Sequence, residues 1–236
     1  EIILIDNFNS QRYSSLFNLK KKLKTFFFNI DVSKPNSLDG FKNVDLIIHC
    51  ASLTNAENSF SNEKEMFKNN LGCMKNVIDY CIKKKSKLIH LSSTSVYGKQ
   101  AKIVNEDDDS FLKPQSPYAD IKLMEENFLK KNKKKLQFMS FRFGTISGIS
   151  PGMRFHTAIN KFCFNAALDQ KIMVYKTAYN QFRPYLSIKD AFKVFKFCIE
   201  KNMFKNEVFN ALSQNLTVKQ VVEMIRKYKK NAKIKF

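Results

Sequence analysis

The feature that most limits what this chain can fold into is a repeated alternation. Short unbroken apolar runs are each followed by a longer stretch of mixed polarity. The runs are "EIILID" (1–6), "TFFFNI" (25–30), "VDLIIHC" (44–50), "KLIHLSS" (87–93) and "LQFMSFRF" (136–143). A strand that is apolar at successive positions buries both of its faces, as strands do in parallel sheets whose crossovers lay helices on each side. The segments 61–84 and 117–134, between the last three runs, have helical length and spacing. The pattern therefore predicts an α/β chain with a doubly wound parallel sheet. After "GISPG" (148–152) it loosens. Helices are expected near 154–168 and 189–201, and short strands near 172–175 and 184–187. A last helix is expected from Thr217, where Gln220 three residues on completes a capping box.

The 236 residues are 44% hydrophobic, enough for one large domain with a sizeable core. No apolar run reaches the roughly 18–20 residues that cross a bilayer, so no membrane partner is expected. The five cysteines (50, 73, 81, 163, 198) form no C-x-x-C and lie in apolar runs. They read as reduced core residues of a cytoplasmic protein rather than metal ligands. His49 and His90 fall in strands and read as satisfied core histidines, and no zinc spacing is present. The formal charge of +20 would suit an anionic partner such as nucleic acid. Against that, the cations are nearly all lysine, the exceptions being Arg12, Arg142, Arg154, Arg183 and Arg226. The runs "KKLK", "KKKSK" and "KKNKKK" fall at expected helix ends, where cations suit the helix dipole. Nucleic-acid binding is not expected.

Tyr-x-x-x-Lys occurs three times, at Tyr80/Lys84, Tyr118/Lys122 and Tyr185/Lys189. In open parallel sheets chemistry gathers beyond the carboxyl ends of the strands. The strand 87–92 ends there in the hydroxyl cluster "SSTSVYG". Ser116 as N-cap and Pro117 at the first helical position start the next helix at Tyr118, which shares a helical face with Lys122. Tyr80 sits late in an earlier helix and Tyr185 in a strand, so the pair Tyr118/Lys122 is selected. Ser92 to Ser95 could by themselves simply end the strand by bonding its backbone.

These residues, in order, resemble the extended short-chain dehydrogenase/reductases, in particular the NAD-dependent sugar-nucleotide epimerase/dehydratase branch. "LIDN" resembles the end of the second strand of a Rossmann-like fold, with Asp6 and Asn7 beside the adenosine ribose. "IDV" places Asp31 and Val32 at the adenine. "IIHCAS" places Ala51 and Ser52 beside the cofactor, and "NN" supplies Asn70. "SSTSVYG" resembles the catalytic Ser/Thr strand with Ser93, "YADIK" the Tyr-x-x-x-Lys motif, and "RPYLSIKDAF" the Arg-x-Tyr-x-x-Val-x-Asp segment. The resemblance implies residues 1–150 as an NAD-binding domain and 151–236 as a small substrate-binding lobe, partly interleaved with it. A nucleotide-sugar substrate is implied, and a homodimer is left open. Asp6, at the end of a second strand, would accept both ribose hydroxyls and repel a 2′-phosphate, so NAD is expected over NADP; an ordinary turn acid is the other reading.

The chemistry implied is an acid/base exchange. A tyrosine ordinarily titrates near pH 10. A unit charge ~4 Å away at an effective dielectric of ~20 is worth about 4 kcal/mol, so an ammonium and an oxidised nicotinamide would favour the phenolate. Tyr118 would take a sugar hydroxyl proton, Ser93 would hold that hydroxyl, and Lys122 would also bind the nicotinamide ribose. Thr94 and Thr145 would face the substrate. Arg154 and Arg183, planar forks suited to phosphate, would hold its diphosphate, with plain surface arginines as the alternative.

Two departures shape the expectation. Glycines stand at 40, 72, 98, 144, 148 and 152, and none forms the family's glycine-rich phosphate loop. The first strand and that loop are missing, which predicts an N-terminally truncated piece, clipped at the C-terminus as well, with a gap between strands 1–6 and 44–50 and weak NAD binding. Relatives that eliminate water or carbon dioxide place Asp or Glu where this chain has Thr94 and Ser95. That favours an epimerase, or a one-way reductase or dehydrogenase, over a dehydratase. A non-catalytic binder on the same scaffold is the reading from another class.

Overall fold

The structure is a computed structural model describing residues 1–19, 22–54, 59–100 and 103–236. Lys21, which starts the "KKLK" run, lies outside the described residues. In chain order the elements are β1 (Ile2–Asp6), β2 (Thr25–Asn29), β3 (Leu46–His49), α1 (Glu63–Lys84), β4 (Lys87–Ser93), α2 (Pro117–Asn132), β5 (Phe138–Phe143) and β6 (Thr145–Ser147). They continue with α3 (Ala158–Ala167), β7 (Ile172–Met173), β8 (Phe182–Ser187), α4 (Ile188–Glu200), β9 (Glu207–Ala211), β10 (Gln214–Thr217), α5 (Val218–Tyr228) and β11 (Ile234–Lys235). The chain forms two compact units: Glu1–Gln11, Asn18–Arg142 and Phe197–Asn210 make the first; Arg12–Phe17, Phe143–Lys196 and Ala211–Phe236 make the second.

In the first unit β1 pairs in parallel with β2, and β3 in parallel with β4, which begins the four-stranded order β3-β4-β5-β9. Among the described residues no strand joins β1 to β3, so the parallel sheet is in two pieces, at the gap expected from the sequence. The apolar runs become strands as read, most of them shorter by one to three residues. The helices are set by their termini. Acidic Glu63 and Glu65 open α1 and Lys83 and Lys84 close it, matching the helix dipole. Lys85 then turns left-handed, with φ of 58°. In α2 the Ser116 hydroxyl accepts the Ala119 N–H at 3.3 Å and Pro117 takes the first turn, as expected. One core joins Met74, Val77, Ile78 and Cys81 of α1 to Leu88 of β4, Leu129 of α2 and Phe138 of β5. Each such side chain contributes about 1.5–3 kcal/mol by leaving water.

Tyr80, the rejected candidate base, has a structural task instead: its hydroxyl donates to the Lys42 carbonyl. Gly98, after β4, has φ of +61°, and a Cβ there would stand 2.2 Å from the Lys113 carbonyl oxygen. Only glycine fits that close approach.

The second unit holds a three-stranded sheet in the order β10-β8-β6, with β10 antiparallel and β6 parallel to β8, and the parallel pair β7–β11. Phe162, Ile172, Tyr185, Val218 and Val222 form its core. The capping box at Thr217 and Gln220 forms as read. β6, β9, β10 and β11 were not foreseen. They are short and of mixed polarity, and strand formation there is decided by the partner strand rather than by local preference. The cysteines divide: Cys73, Cys81 and Cys198 are buried, whereas Cys50 and Cys163 are exposed, which corrects the reading of all five as core residues. An apolar neighbourhood in sequence does not say which side of an element a residue takes. No described helix is long and apolar enough to cross a membrane.

Candidate active site

The parallel pairings carry the expected residues of the first unit to the carboxyl ends of strands. Asp6 ends β1, Asp31 and Val32 follow β2, Ala51 and Ser52 follow β3, and Ser93 ends β4. Each is locally braced. The Asp6 carboxylate accepts the Phe8 N–H at 2.7 Å, and the Asn7 side chain accepts the Asn9 N–H at 3.0 Å. Asp31 accepts both the N–H and the hydroxyl of Ser33, at 3.0 and 2.6 Å. The Ser33 hydroxyl is the main cause that holds its carboxyl below the ordinary value. The Val32 carbonyl accepts the Asn76 side-chain amide at 2.7 Å. Asn70, expected at the cofactor, spends its amide on a peptide: it accepts the Leu53 N–H at 2.8 Å and donates to the Leu53 carbonyl at 3.0 Å. It therefore fixes the segment that carries Ala51 and Ser52.

Helix α2 packs against β4 and against the 3-10 turn Thr94–Tyr97 that follows it. Ser93 caps that turn, accepting the Ser95 N–H at 3.2 Å. On the facing helix the Lys122 Nζ lies 5.9 Å from the centre of the Tyr118 ring, so the two share a face as their spacing required. Tyr118 is half-buried and Lys122 buried.

Sequence reasoning missed what stands behind Lys122. Its Nζ donates to Glu125 Oε2 at 2.8 Å, and His90 Nε2 lies 2.9 Å from that same oxygen. His90 Nδ1 lies 2.9 Å from the Ser140 hydroxyl, so His90 is the satisfied core histidine expected. His49 stacks on it at 6.3 Å, and burial holds its ring down at about 3. For Glu125 burial alone would raise the carboxyl, but the Lys122 charge and the His90 hydrogen bond outweigh it and hold it at about 2. For Lys122 burial works against the charge, and Glu125 and Tyr118 more than offset it, moving the ammonium upward.

A second buried network was also missed. Glu126 accepts Arg142 through two bonds and the Ser92 hydroxyl at 2.5 Å; Arg142 donates to the Tyr97 hydroxyl at 2.7 Å, and Tyr97 donates to Asn210 at 2.8 Å. The available signal was the pair of glutamates three and four residues after Lys122, with one arginine inside the apolar run "FMSFRF".

In the second unit, Thr145 starts β6 opposite Tyr185 and is exposed. Arg154 Nη2 lies 2.7 Å from His156 Nε2, and exposed Arg183 donates to Gln181 at 3.0 Å. No described hydrogen bond joins the two arginines. Within "RPYLSIKDAF" the Ser187 hydroxyl accepts the Asp190 N–H at 3.0 Å and donates to its carboxylate at 2.8 Å, so the segment also starts α4.

The chain is similar to several known proteins. The chain is 26% identical over 249 residues to an ADP-L-glycero-D-manno-heptose-6-epimerase of Brachyspira hyodysenteriae, covering 100% of this chain and 76% of that protein. It is 26% identical over 229 residues to a dTDP-D-glucose 4,6-dehydratase of Dictyostelium discoideum, covering 89% of this chain and 51% of that one. The fold is that of a Thermus thermophilus UDP-glucose 4-epimerase solved with NAD, with a TM-score of 0.78, 15% identity, and 100% of this chain and 86% of that one covered. It is also that of a Streptomyces venezuelae dTDP-glucose 4,6-dehydratase solved with NAD, at a TM-score of 0.84, 17% identity, and coverage of 100% and 74%. The family model for the NAD dependent epimerase/dehydratase family matches residues 1–211. That match spans most of the 236 residues, and the chain belongs to the NAD-dependent epimerase/dehydratase family.

Proposed function

We propose that the chain serves NAD-dependent epimerisation of a nucleotide-activated sugar by transient oxidation, with Tyr118 as acid/base. The observation that carries the reading is the buried ammonium of Lys122 against the Tyr118 ring, on a helix packed on the strand that ends in Ser93. The donor set suits NAD at both riboses. Asp6 offers a carboxylate to one, and Lys122, with one of its three N–H groups spent on Glu125, has two left for the other. Asp31 and Val32 would meet the adenine, and Ala51 and Ser52 the pyrophosphate and nicotinamide ribose. The residues of this chain include no glycine-rich turn for the pyrophosphate.

Bound NAD supplies the hydride acceptor and, in the return direction, the donor. Tyr118 removes the proton of the sugar hydroxyl at the carbon being oxidised and later gives it back. The Ser93 hydroxyl hydrogen-bonds that oxygen and fixes its distance. Lys122 keeps positive charge beside the phenol and orients the ribose. By resemblance to the family, Thr94 and Thr145 are assigned hydroxyl contacts to the sugar, and Arg154 and Arg183 guanidinium contacts to the diphosphate. Thr94 and Ser95 put hydroxyls where elimination would need an acid, which favours epimerisation over dehydration.

The test is turnover of a panel of UDP-, GDP- and dTDP-sugars with NAD, comparing wild type with Tyr118→Phe. Product without net NADH, and a loss of about 10²–10⁴ in kcat for the variant, is expected. Full turnover by Tyr118→Phe would remove Tyr118 from the reaction, and stoichiometric NADH would make the enzyme a one-way dehydrogenase.

A further inference from the structure

We propose that Glu125 is a positioning and charge-balancing residue for the Tyr118–Lys122 pair: its buried carboxylate holds the Lys122 ammonium in one place and offsets part of the positive charge that Lys122 projects onto Tyr118. The inference rests on the proposed role of Tyr118 for its importance, but its test needs no substrate.

Lys122 and Glu125 are one turn apart on α2, and neither reaches solvent: their side chains are 5% and 0% exposed. Water therefore screens neither charge, and the carboxylate 2.8 Å from Nζ turns an isolated cation into a compact dipole. The field of a dipole falls off faster than that of one charge, so less of it reaches the phenol. The carboxylate is itself held on two sides. Oε2 receives Lys122 and His90, whereas Oε1 is buried and meets no hydrogen-bond donor among the described residues. With Oε2 as acceptor, Nε2 of His90 carries the proton and Nδ1 accepts from the Ser140 hydroxyl. A carboxylate with one unmet oxygen keeps its charge only because these partners compensate it.

The groups that face this cluster come from every neighbouring element. His49 from β3 stacks on His90. Cys50, just after β3, feels Lys122, and Cys73 of α1 feels both Lys122 and Glu125. Tyr118 lies on α2 itself. Among these described groups, Glu125 is the one whose carboxylate touches the ammonium. Holding that carboxyl at about 2 leaves it charged throughout the range in which an enzyme of this kind works.

The experiment is a pH titration of phenolate absorbance in the full chain. Each protein is read as a difference against the same protein carrying Tyr118→Phe, so that the other tyrosines cancel. Glu125→Gln keeps the shape and a hydrogen-bond acceptor but removes the charge, and the Tyr118 midpoint should fall by about one pH unit. Glu125→Asp keeps the charge and should stay near wild type. Lys122→Met should raise the midpoint. The double variant Glu125→Gln/Lys122→Met removes both buried charges together, so it also decides the matter if the single variants do not fold. Its midpoint should lie near wild type. A double-variant midpoint raised by about a unit, as if Lys122 acted alone, would overturn the proposal, as would a Glu125→Gln midpoint that is unchanged or higher. A normal titration response with no epimerase turnover would sink the proposed reaction and leave this inference standing.

Discussion

Glu126 and Arg142 meet as a two-pronged pair inside the first unit, with Nε to Oε1 at 2.9 Å and Nη2 to Oε2 at 2.7 Å, and side-chain exposures of 0% and 1%. Neither charge can be relieved by water if its partner is removed. Glu126→Gln should cost about 3–5 kcal/mol in urea unfolding, and Arg142→Met a similar amount. The double variant Glu126→Leu/Arg142→Met should recover most of that loss, because no uncompensated charge remains. A double variant as unstable as the singles would mean that the wider network to Tyr97 and Asn210, rather than the pair, carries the cost.

Gly98 makes a backbone prediction. Its φ of +61° and the 2.2 Å separation between a built Cβ and the Lys113 carbonyl leave no room for a side chain. Gly98→Ala should lose about 2 kcal/mol or more, read as a lower urea midpoint with an unchanged slope. Gly40, with nothing within 4 Å of a built Cβ, is the matched control and should tolerate alanine.

The buried pair His49 and Glu125 makes stability fall with acid. His49 is held neutral down to about 3 against an ordinary 6.5, so the unfolded chain binds a proton there that the folded chain refuses, and stability is lost as pH falls from 6.5 toward 3. Glu125 is held at about 2 against an ordinary 4.5, so its contribution is present above 4.5 and is lost as pH falls toward 2. A tenfold change in a group's proton affinity between folded and unfolded chain is worth about 1.4 kcal/mol. Urea midpoints should therefore drop between pH 7 and pH 4, and His49→Gln should flatten that part of the curve. A pH-independent midpoint over this range would refute the assignment.

Asn70 should act through Leu53. Its amide makes both hydrogen bonds to that peptide. Asn70→Ala leaves the part-buried Leu53 carbonyl and N–H without this partner, at a cost of up to about 1–3 kcal/mol. Faster hydrogen exchange at the Leu53 amide than in wild type is the expected signature, and unchanged exchange would show that the segment is held elsewhere.

Much of the fold was legible because strands covered on both faces, such as 87–93, are rich in apolar residues, and because helix ends announce themselves through local chemistry. Ser116-Pro117 and Thr217-Gln220 are read within a few residues of one another, with no help from distant parts of the chain. The short strands β6, β9 and β10 were not legible, since each forms only when a partner presents its backbone.

By itself the sequence determined the order of parallel strands and helices, the break in the sheet between β1 and β3, and the sharing of one helical face by Tyr118 and Lys122. The first and last follow from local periodicity and spacing, and the break follows from the first strand that the resemblance to the family shows to be missing. Only the tertiary structure decided that the Lys122 charge is balanced by Glu125, that His90 from β4 shares the same carboxylate oxygen, and that Arg142 is matched by Glu126. The last two pairings join residues 35 and 16 positions apart, and whether a charge is exposed, paired or orphaned depends on which elements close over it and shut out water.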